Sequence, residues 1–343
     1  MALRDEILEQ QKVISNLLED QADPIRTIAK SIGKPASIFI AARGTSDNAA
    51  RYAKYVWGYN NQIPVALAAP SLFSVYHQPP ILGDNLVVGI SQSGESPDLL
   101  AVLAEANRQG CKTLAITNQA ESPLALEADF LIDVQAGPEL SVAATKSYTA
   151  QLGAIAMLSA AWAEDSNHWV QLAAIPEFIS SLFEQENQIQ TYASRYRYMD
   201  QCVVLGRGFN YATAFEWSLK LKELTYVVAQ PYSSADFLHG PIALVSSGFP
   251  VFAVAPQSEV LENIADLLKR LKDTHRAELF IISENQDLLQ IADCPLPLPQ
   301  GIPEWLSPLA AIIPAQLFSY HLTLIKGIDP DMPRGLSKVT LTK

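Results

Sequence analysis

The sequence predicts an α/β protein made of two doubly wound parallel sheets, and three observations carry that prediction. Near-continuous apolar runs alternate with helical patterns along the chain, as expected of strands buried on both faces. The two halves repeat the same order of elements at a nearly constant offset. At 343 residues the chain exceeds one ordinary domain and suits two, each with its own core.

The elements follow in order. A helix is expected over roughly residues 3 to 31, within a helical segment covering 1–32. The first domain, 33–165, opens with the strand Ser37 to Ala42, and Arg43-Gly44-Thr45-Ser46 leads into a helix. The second domain, 193–328, opens alike, with Cys202 to Gly206 and then Arg207-Gly208. Leu86 to Gln92 is echoed by Val251 to Gln257, and Thr113 to Thr117 by Leu279 to Ser283. A helical linker over 166–192 joins the copies, and a tail covers 329–343. Trp305 to Ile325 is apolar enough to raise a membrane question. Pro308, Pro314, Gln316 and His321 interrupt it, so a buried helix at a subunit contact is expected.

Composition narrows the function. A hydrophobic fraction of 49% with 17% charged residues describes a compact folded chain. The net charge of −12, without any basic run, argues against nucleic acid as a partner. Cys111, Cys202 and Cys294 are well separated, which disfavours a disulfide framework or a cysteine zinc site and points to cytoplasmic thiols. The opening residues are charged and amphipathic, unlike a secretory signal. No membrane association is expected.

The stretch Leu86 to Ser96 is the most informative. An apolar strand runs into a loop containing Ser91, Gln92, Ser93, Gly94 and Ser96, and Pro97 then begins a helix. Ser96 suits the N-cap and Pro97 the first helical turn. Free N–H groups, the helix dipole and the serine hydroxyls together suit a phosphate, and Gly94 allows close backbone approach. A plain capped turn would use the same residue types. The second copy carries Gln257-Ser258-Glu259 instead, and Glu259 would repel phosphate, so one phosphate site per chain is expected. Further on, Glu216, Lys220 and Glu223 fall at i, i+4 and i+7 of one helix, a spacing shared by solvated salt-bridge stripes.

Ser-Gln-Ser-Gly-Glu-Ser after a strand resembles the phosphate loop of the SIS family of sugar isomerase domains, whose folds are flavodoxin-like. Glu216-x-x-x-Lys220-x-x-Glu223, followed by Phe237-Leu238-His239-Gly240-Pro241, resembles the isomerase half of the glucosamine-6-phosphate synthases and the related amino-sugar phosphate deaminases. Pro333 to Thr340 resembles the closing segment of that family, and the likeness covers almost the whole chain.

The resemblance implies roles. Glu223 is the base moving a proton between C1 and C2, Lys220 assists at the oxygen, and Glu216 holds Lys220. His239 opens the sugar ring and comes from the neighbouring subunit of a homodimer. Lys338 meets the open-chain carbonyl, and as a Schiff base it would need a neutral amine. Gly44, Thr45 and Ser46 contact the phosphate, and the Glu139 to Lys146 loop, including Val142 and Ala144, lines the sugar. There the local alternative is a loop whose Thr145 caps the following helix.

No metal or organic cofactor is implied. The synthases also carry a glutaminase domain with an N-terminal cysteine, which has no counterpart in this sequence. Arg43 stands where the synthases have a cysteine, implying a different channel wall or extra charge near the phosphate. The expected activity is therefore deamination and isomerisation of glucosamine 6-phosphate to fructose 6-phosphate. The alternatives are a glutaminase-less aminotransferase running in the synthetic direction and a non-catalytic sugar-phosphate sensor.

Overall fold

The computed structural model describes residues 2–338. These form two compact units: a first of residues 9–140, 144–174 and 337–338, and a second of residues 2–8, 141–143 and 175–336.

Where one long helix is expected, the chain forms α1 (Ala2–Leu8) and α2 (Gln10–Ile32). In α2, Val13, Ile14, Leu17, Gln21 and Ile25 are buried, a three-and-four spacing that makes one inward face. The first unit's sheet holds β1 (Ile38–Ala42), β2 (Val65–Leu67), β3 (Leu86–Ser91), β4 (Thr113–Thr117) and β5 (Phe130–Asp133). All of its pairings are parallel, in the order β2-β1-β3-β4-β5. Every residue of β3 and β4 is buried, which is why both read as unbroken apolar runs. The connecting helices are α3 (Gly44–Asn61), α4 (Ser71–Ser74), α5 (Pro97–Arg108) and α6 (Pro123–Glu127). α7 (Lys146–Ala163) is buried from Lys146 to Ala160 and packs against α2 and α3. Being apolar on all sides, α7 can only be a central helix.

α8 (Ser166–Leu182) leads into the second unit, followed by α9 (Glu186–Arg195). The second sheet contains β6 (Gln201–Gly206), β7 (Val228–Ser233), β8 (Pro250–Val254), β9 (Glu278–Ser283) and β10 (Cys294–Pro297). Its order, β7-β6-β8-β9-β10, is the first sheet's order repeated. Its helices are α10 (Tyr211–Lys220), α11 (Ser234–Phe237), α12 (Leu261–Asp273), α13 (Gln286–Ile291) and α14 (Ser307–Ile325). Both sheets thus wind as 2-1-3-4-5, the flavodoxin-like order predicted, and each has its switch point between its first and third strands.

The apolar stretch Glu304–Ile325 is long enough to cross a membrane by length and composition, yet 89% of its window is buried inside the protein. Phe318 lies among Tyr196, Trp217, Phe252 and Phe280, with ring centroids 4.8–5.9 Å from its own. α1, α9 and α10 also pack on α14. The expected subunit contact is therefore corrected: the apolar surface of α14 is consumed within its own unit.

Candidate active site

In the first unit, the loop from Ser91 to Ser96 lies at the switch point, because β3 neighbours β1 and Ala42 stands opposite Ile90. The loop is built in advance of any ligand. Ser91 Oγ accepts the Gly94 N–H at 3.0 Å, and Ser93 Oγ accepts the Glu95 N–H at 3.3 Å. The Gln92 carbonyl accepts from the Asn118 N–H at 3.2 Å, and the Gly94 carbonyl from the Leu124 N–H at 3.0 Å. Gly94 has φ +66, and a Cβ there would come within 2.1 Å of Ser122 Oγ, so no other residue fits. Ser96 occupies the N-cap position of α5 with Pro97 next, but its hydroxyl makes no capping bond. That corrects one detail of the sequence reading and leaves the hydroxyl available.

The turn after β1 supplies Gly44, Thr45 and Ser46. Ser46 is buried and accepts a hydrogen bond from Gln151 Nε2 of α7 at 3.1 Å, so its own O–H must donate elsewhere. Arg43 Nε donates to Asp98 Oδ2 at 2.7 Å, and the Asp98 side chain is fully buried in the first turn of α5. Gln151 and Asp98 carry no signal in the sequence that would have marked them, since their partners lie far away in the chain.

Glu139 anchors another part of this unit. Its fully buried carboxylate accepts the Thr145 and Ser147 N–H groups at 3.0 and 3.1 Å, the Ser147 hydroxyl at 2.8 Å and Lys338 Nζ at 2.7 Å. Thr145 occupies the N-cap of α7 but makes no side-chain capping bond, so Glu139 does the capping expected of Thr145. Burial works against ionisation of Glu139, but Lys338 and the N–H donors outweigh it and hold the carboxyl below its ordinary value. Lys338 therefore sits in an ion pair, and its nitrogen must part from Glu139 before attacking a carbonyl. Val142 and Ala144 lie half-buried in the bend preceding α7.

In the second unit, α10 ends at Lys220 and continues as a π-helical turn, Leu221–Thr225. The wider turn re-aims Glu223. Lys220 Nζ lies 2.5 Å from Glu223 Oε2 and 3.4 Å from Glu216 Oε1. Side-chain exposure is 0% for Glu216, 1% for Lys220 and 23% for Glu223, which removes the solvated-stripe alternative. Burial opposes the Lys220 charge, yet the two carboxylates prevail and raise its pKa well above the ordinary lysine value. An ammonium is thus locked between a sealed carboxylate and one that reaches solvent. Of these three side chains, Glu223 is the one that reaches solvent.

His239 follows α11 in an exposed turn, where its backbone N–H donates to the Asp236 carbonyl at 3.0 Å. Among the described residues no hydrogen bond or ion pair joins its imidazole to the Glu216, Lys220 and Glu223 group. At the start of the tail, the Arg334 guanidinium lies 4.1 Å from the centre of the Tyr226 ring, and the Arg334 backbone N–H donates to the Tyr226 hydroxyl at 2.8 Å. Val339 and Thr340 lie outside the described residues. In the second unit, beside the carboxyl ends of β8 and β9, a crevice of about 360 Å³ is lined by Gln257, Ser258, Glu259, Glu262, Lys269 and Asp287 among others. Three carboxylates there against one amine disfavour a phosphate.

Tandem parallel sheets of one winding, a preformed loop of neutral donors at the first switch point and a buried Glu-Lys-Glu group define a doubly wound protein of the phosphosugar-site class. More particularly, the profile of the SIS domain family matches residues 31–161 and 183–326, and the chain belongs to that family. It is similar to the glutamine–fructose-6-phosphate aminotransferase (isomerizing) of Thermococcus kodakarensis, 32% identical over 343 residues, covering 97% of this chain and 56% of that protein. The Methanothermobacter thermautotrophicus protein of the same name is 35% identical over 337 residues, with 97% and 56% covered. The chain thus spans little more than half the length of these curated relatives. Among solved structures, the C-terminal domain of glucosamine-fructose-6-phosphate aminotransferase from Francisella tularensis superposes with a TM-score of 0.86 at 29% identity, covering 97% of this chain and 98% of that one. Glucosamine-6-phosphate deaminase from Thermotoga maritima shares the fold, with a TM-score of 0.81 at 22% identity and 100% of each chain covered.

Proposed function

We propose that the chain is an amino-sugar phosphate isomerase that converts glucosamine 6-phosphate and water to fructose 6-phosphate and ammonia. The buried Glu216, Lys220 and Glu223 group carries this reading. Binding alone gains nothing from sealing an ammonium between two carboxylates, whereas proton transfer needs a carboxylate whose charge and position are held. This also weighs against a sensor without catalysis.

The roles follow from the chemistry. The phosphate is held by Ser91, Gln92, Ser93, Gly94 and Ser96, with Gly44, Thr45 and Ser46 beside them. His239 of a second copy in a homodimer opens the ring, and its exposed imidazole, which makes no hydrogen bond or ion pair among the described residues, fits that use. Glu223 removes the C2 proton of the open-chain amino aldose and delivers a proton to C1, with Lys220 steadying the charge at the oxygen. Water then adds to the C2 imine and ammonia leaves. Lys338, held by Glu139, meets the carbonyl oxygen as an ammonium, while Val142 and Ala144 contribute to the sugar-lining bend. Three buried free cysteines fit a reducing, cytoplasmic setting.

The names of the relatives favour a second direction, in which the same residues join ammonia to fructose 6-phosphate. One experiment tests both. Purified protein is assayed for ammonia release from glucosamine 6-phosphate, and for glucosamine 6-phosphate formation from fructose 6-phosphate with ammonium or glutamine. Release of ammonia supports the proposal, formation with ammonium alone supports the reverse direction, and no turnover either way rejects both.

A further inference from the structure

Arg43 breaks a local rule. It occupies the N-cap position of α3, where Ser, Thr, Asp or Asn would supply a capping oxygen, and its side chain caps nothing. A cation there also opposes the helix dipole. The next residue, Gly44, adopts φ +53, which aims the chain sharply into the helix. A position that forgoes its cap and carries the wrong charge sign calls for a reason beyond the helix.

The surroundings supply one. Continuing the β1 and β3 register past Ala42 and Ile90 puts Arg43 level with Ser91, where the hydroxyl-rich loop begins. Asp98, which holds Arg43, stands in the first turn of α5, where that loop ends. The guanidinium therefore spans from the end of β1 to the far side of the loop. Only Nε is used in the tether, at 2.7 Å from a side chain with 0% exposure, while the Arg43 side chain is 47% exposed. Among the described residues, Nη1 and Nη2 make no hydrogen bond. The loop itself offers neutral donors only.

We propose that Arg43 is the cationic clamp of the phosphate site, tethered through Nε to Asp98 and offering its outer N–H groups to a phosphate dianion. This rests on reading the Ser91 to Ser96 loop as that site. A guanidinium fixed at one edge keeps a planar pair of donors matched to two phosphate oxygens, and little side-chain freedom remains to be lost on binding. Asp98 is a positioning residue that acts through Arg43. Lysine cannot replace this arrangement, because one ammonium cannot hold Asp98 and present a two-point fork together.

The test uses inorganic phosphate and fructose 6-phosphate as probes, measured by calorimetry on the full chain at several salt concentrations, with thermal melts as a folding control. Arg43→Gln preserves a donor to Asp98 and removes the charge. It should weaken both probes at least tenfold and flatten the salt dependence. Arg43→Lys should restore no more than a small part, and Asp98→Asn should weaken binding less than Arg43→Gln while leaving the salt dependence in place. If Arg43→Gln and Arg43→Ala both bind within twofold of the unchanged protein, the clamp is wrong and Arg43 only braces α5. Failure of the unchanged protein to bind either probe would overturn the loop reading and the clamp together. Weakened binding in the variants alongside absent turnover of glucosamine 6-phosphate would leave the clamp standing and reject the reaction.

Discussion

Two carboxylates carry opposite duties, and their environments assign them. Glu223 keeps a path to solvent and contacts the Lys220 amine, the environment proposed for a base that meets a ligand. Glu223→Gln is nearly isosteric. It should preserve substrate binding and lower turnover of glucosamine 6-phosphate by about 10²–10⁴-fold, with hydrogen-isotope exchange at the sugar carbon lost in parallel. Normal exchange in this variant would leave the proposed mechanism without its base. Glu139 is sealed, and its partners hold its carboxyl below the ordinary value of 4.5. Its contribution to stability is therefore complete above that ordinary value and disappears as pH falls through the lower folded value. Glu139→Gln should cost about 2–3 kcal/mol at neutral pH and flatten the acid limb of a denaturation series. An unchanged acid limb would show that the carboxylate is not ionised in the folded chain. Glu139 and Lys338 lie 199 residues apart, and Arg43 and Asp98 55 apart, so neither pairing was legible in the sequence. The types were visible; the partners were not.

At the scale of the element, strands buried on both faces declared themselves, and edge strands did not. Leu86 to Ser91 reads as apolar throughout because helices cover both sides of β3. β7, with the sequence Val-Ala-Gln-Pro-Tyr-Ser, lies at the sheet edge, has one fully buried residue, Ala229, and resembles a loop. The π-helical turn at Leu221–Thr225 was equally hidden, since its composition simply continues a helix. The loop after β3 was legible as a strand-to-helix turn, but its bracing by the Ser122 turn was not. That bracing makes a sharp prediction. Gly94→Ala must accept both a left-handed backbone and a clash with Ser122 Oγ at 2.1 Å, and should destabilise the protein by about 1–3 kcal/mol. Ser122→Gly in the same chain should recover the part due to the clash. Thermal melts of the single and double variants measure this, and additive losses would show that the two residues do not meet.

For the whole molecule, the repeat was the strongest signal, because two sheets of the same winding demand the same order of apolar runs. Chemistry diverged where the fold did not. The loop after β3 carries hydroxyls beside Arg43, whereas its counterpart after β8 carries Glu259, which lines a crevice with Glu262 and Asp287. Sharing of active sites between copies cannot rest on α14, whose surface is already covered, and now rests on His239. Mixing equal amounts of His239→Ala and Glu223→Gln protein under conditions that exchange subunits should restore about half of normal activity per mixed dimer, roughly a quarter over a randomly exchanged mixture, if the histidine acts in trans. Mixed dimers without recovery would place His239 within its own subunit's chemistry or outside it.

The first turn of α1 has its N–H groups satisfied by a residue from the other end of the described chain: Ala2 and Leu3 donate to the Asp331 carboxylate at 3.1 and 2.9 Å, 329 residues away along the first of these bonds. During synthesis this helix emerges long before its cap and before α14, against which it packs. A segment of 7 residues is too short to hold helical form unaided. The helical form of α1 therefore depends on residues far downstream, the Asp331 carboxylate and the face of α14. Completion of the second unit thus waits on the segment from α14 to Asp331, while the strands of the first sheet and α7 precede that segment in the chain.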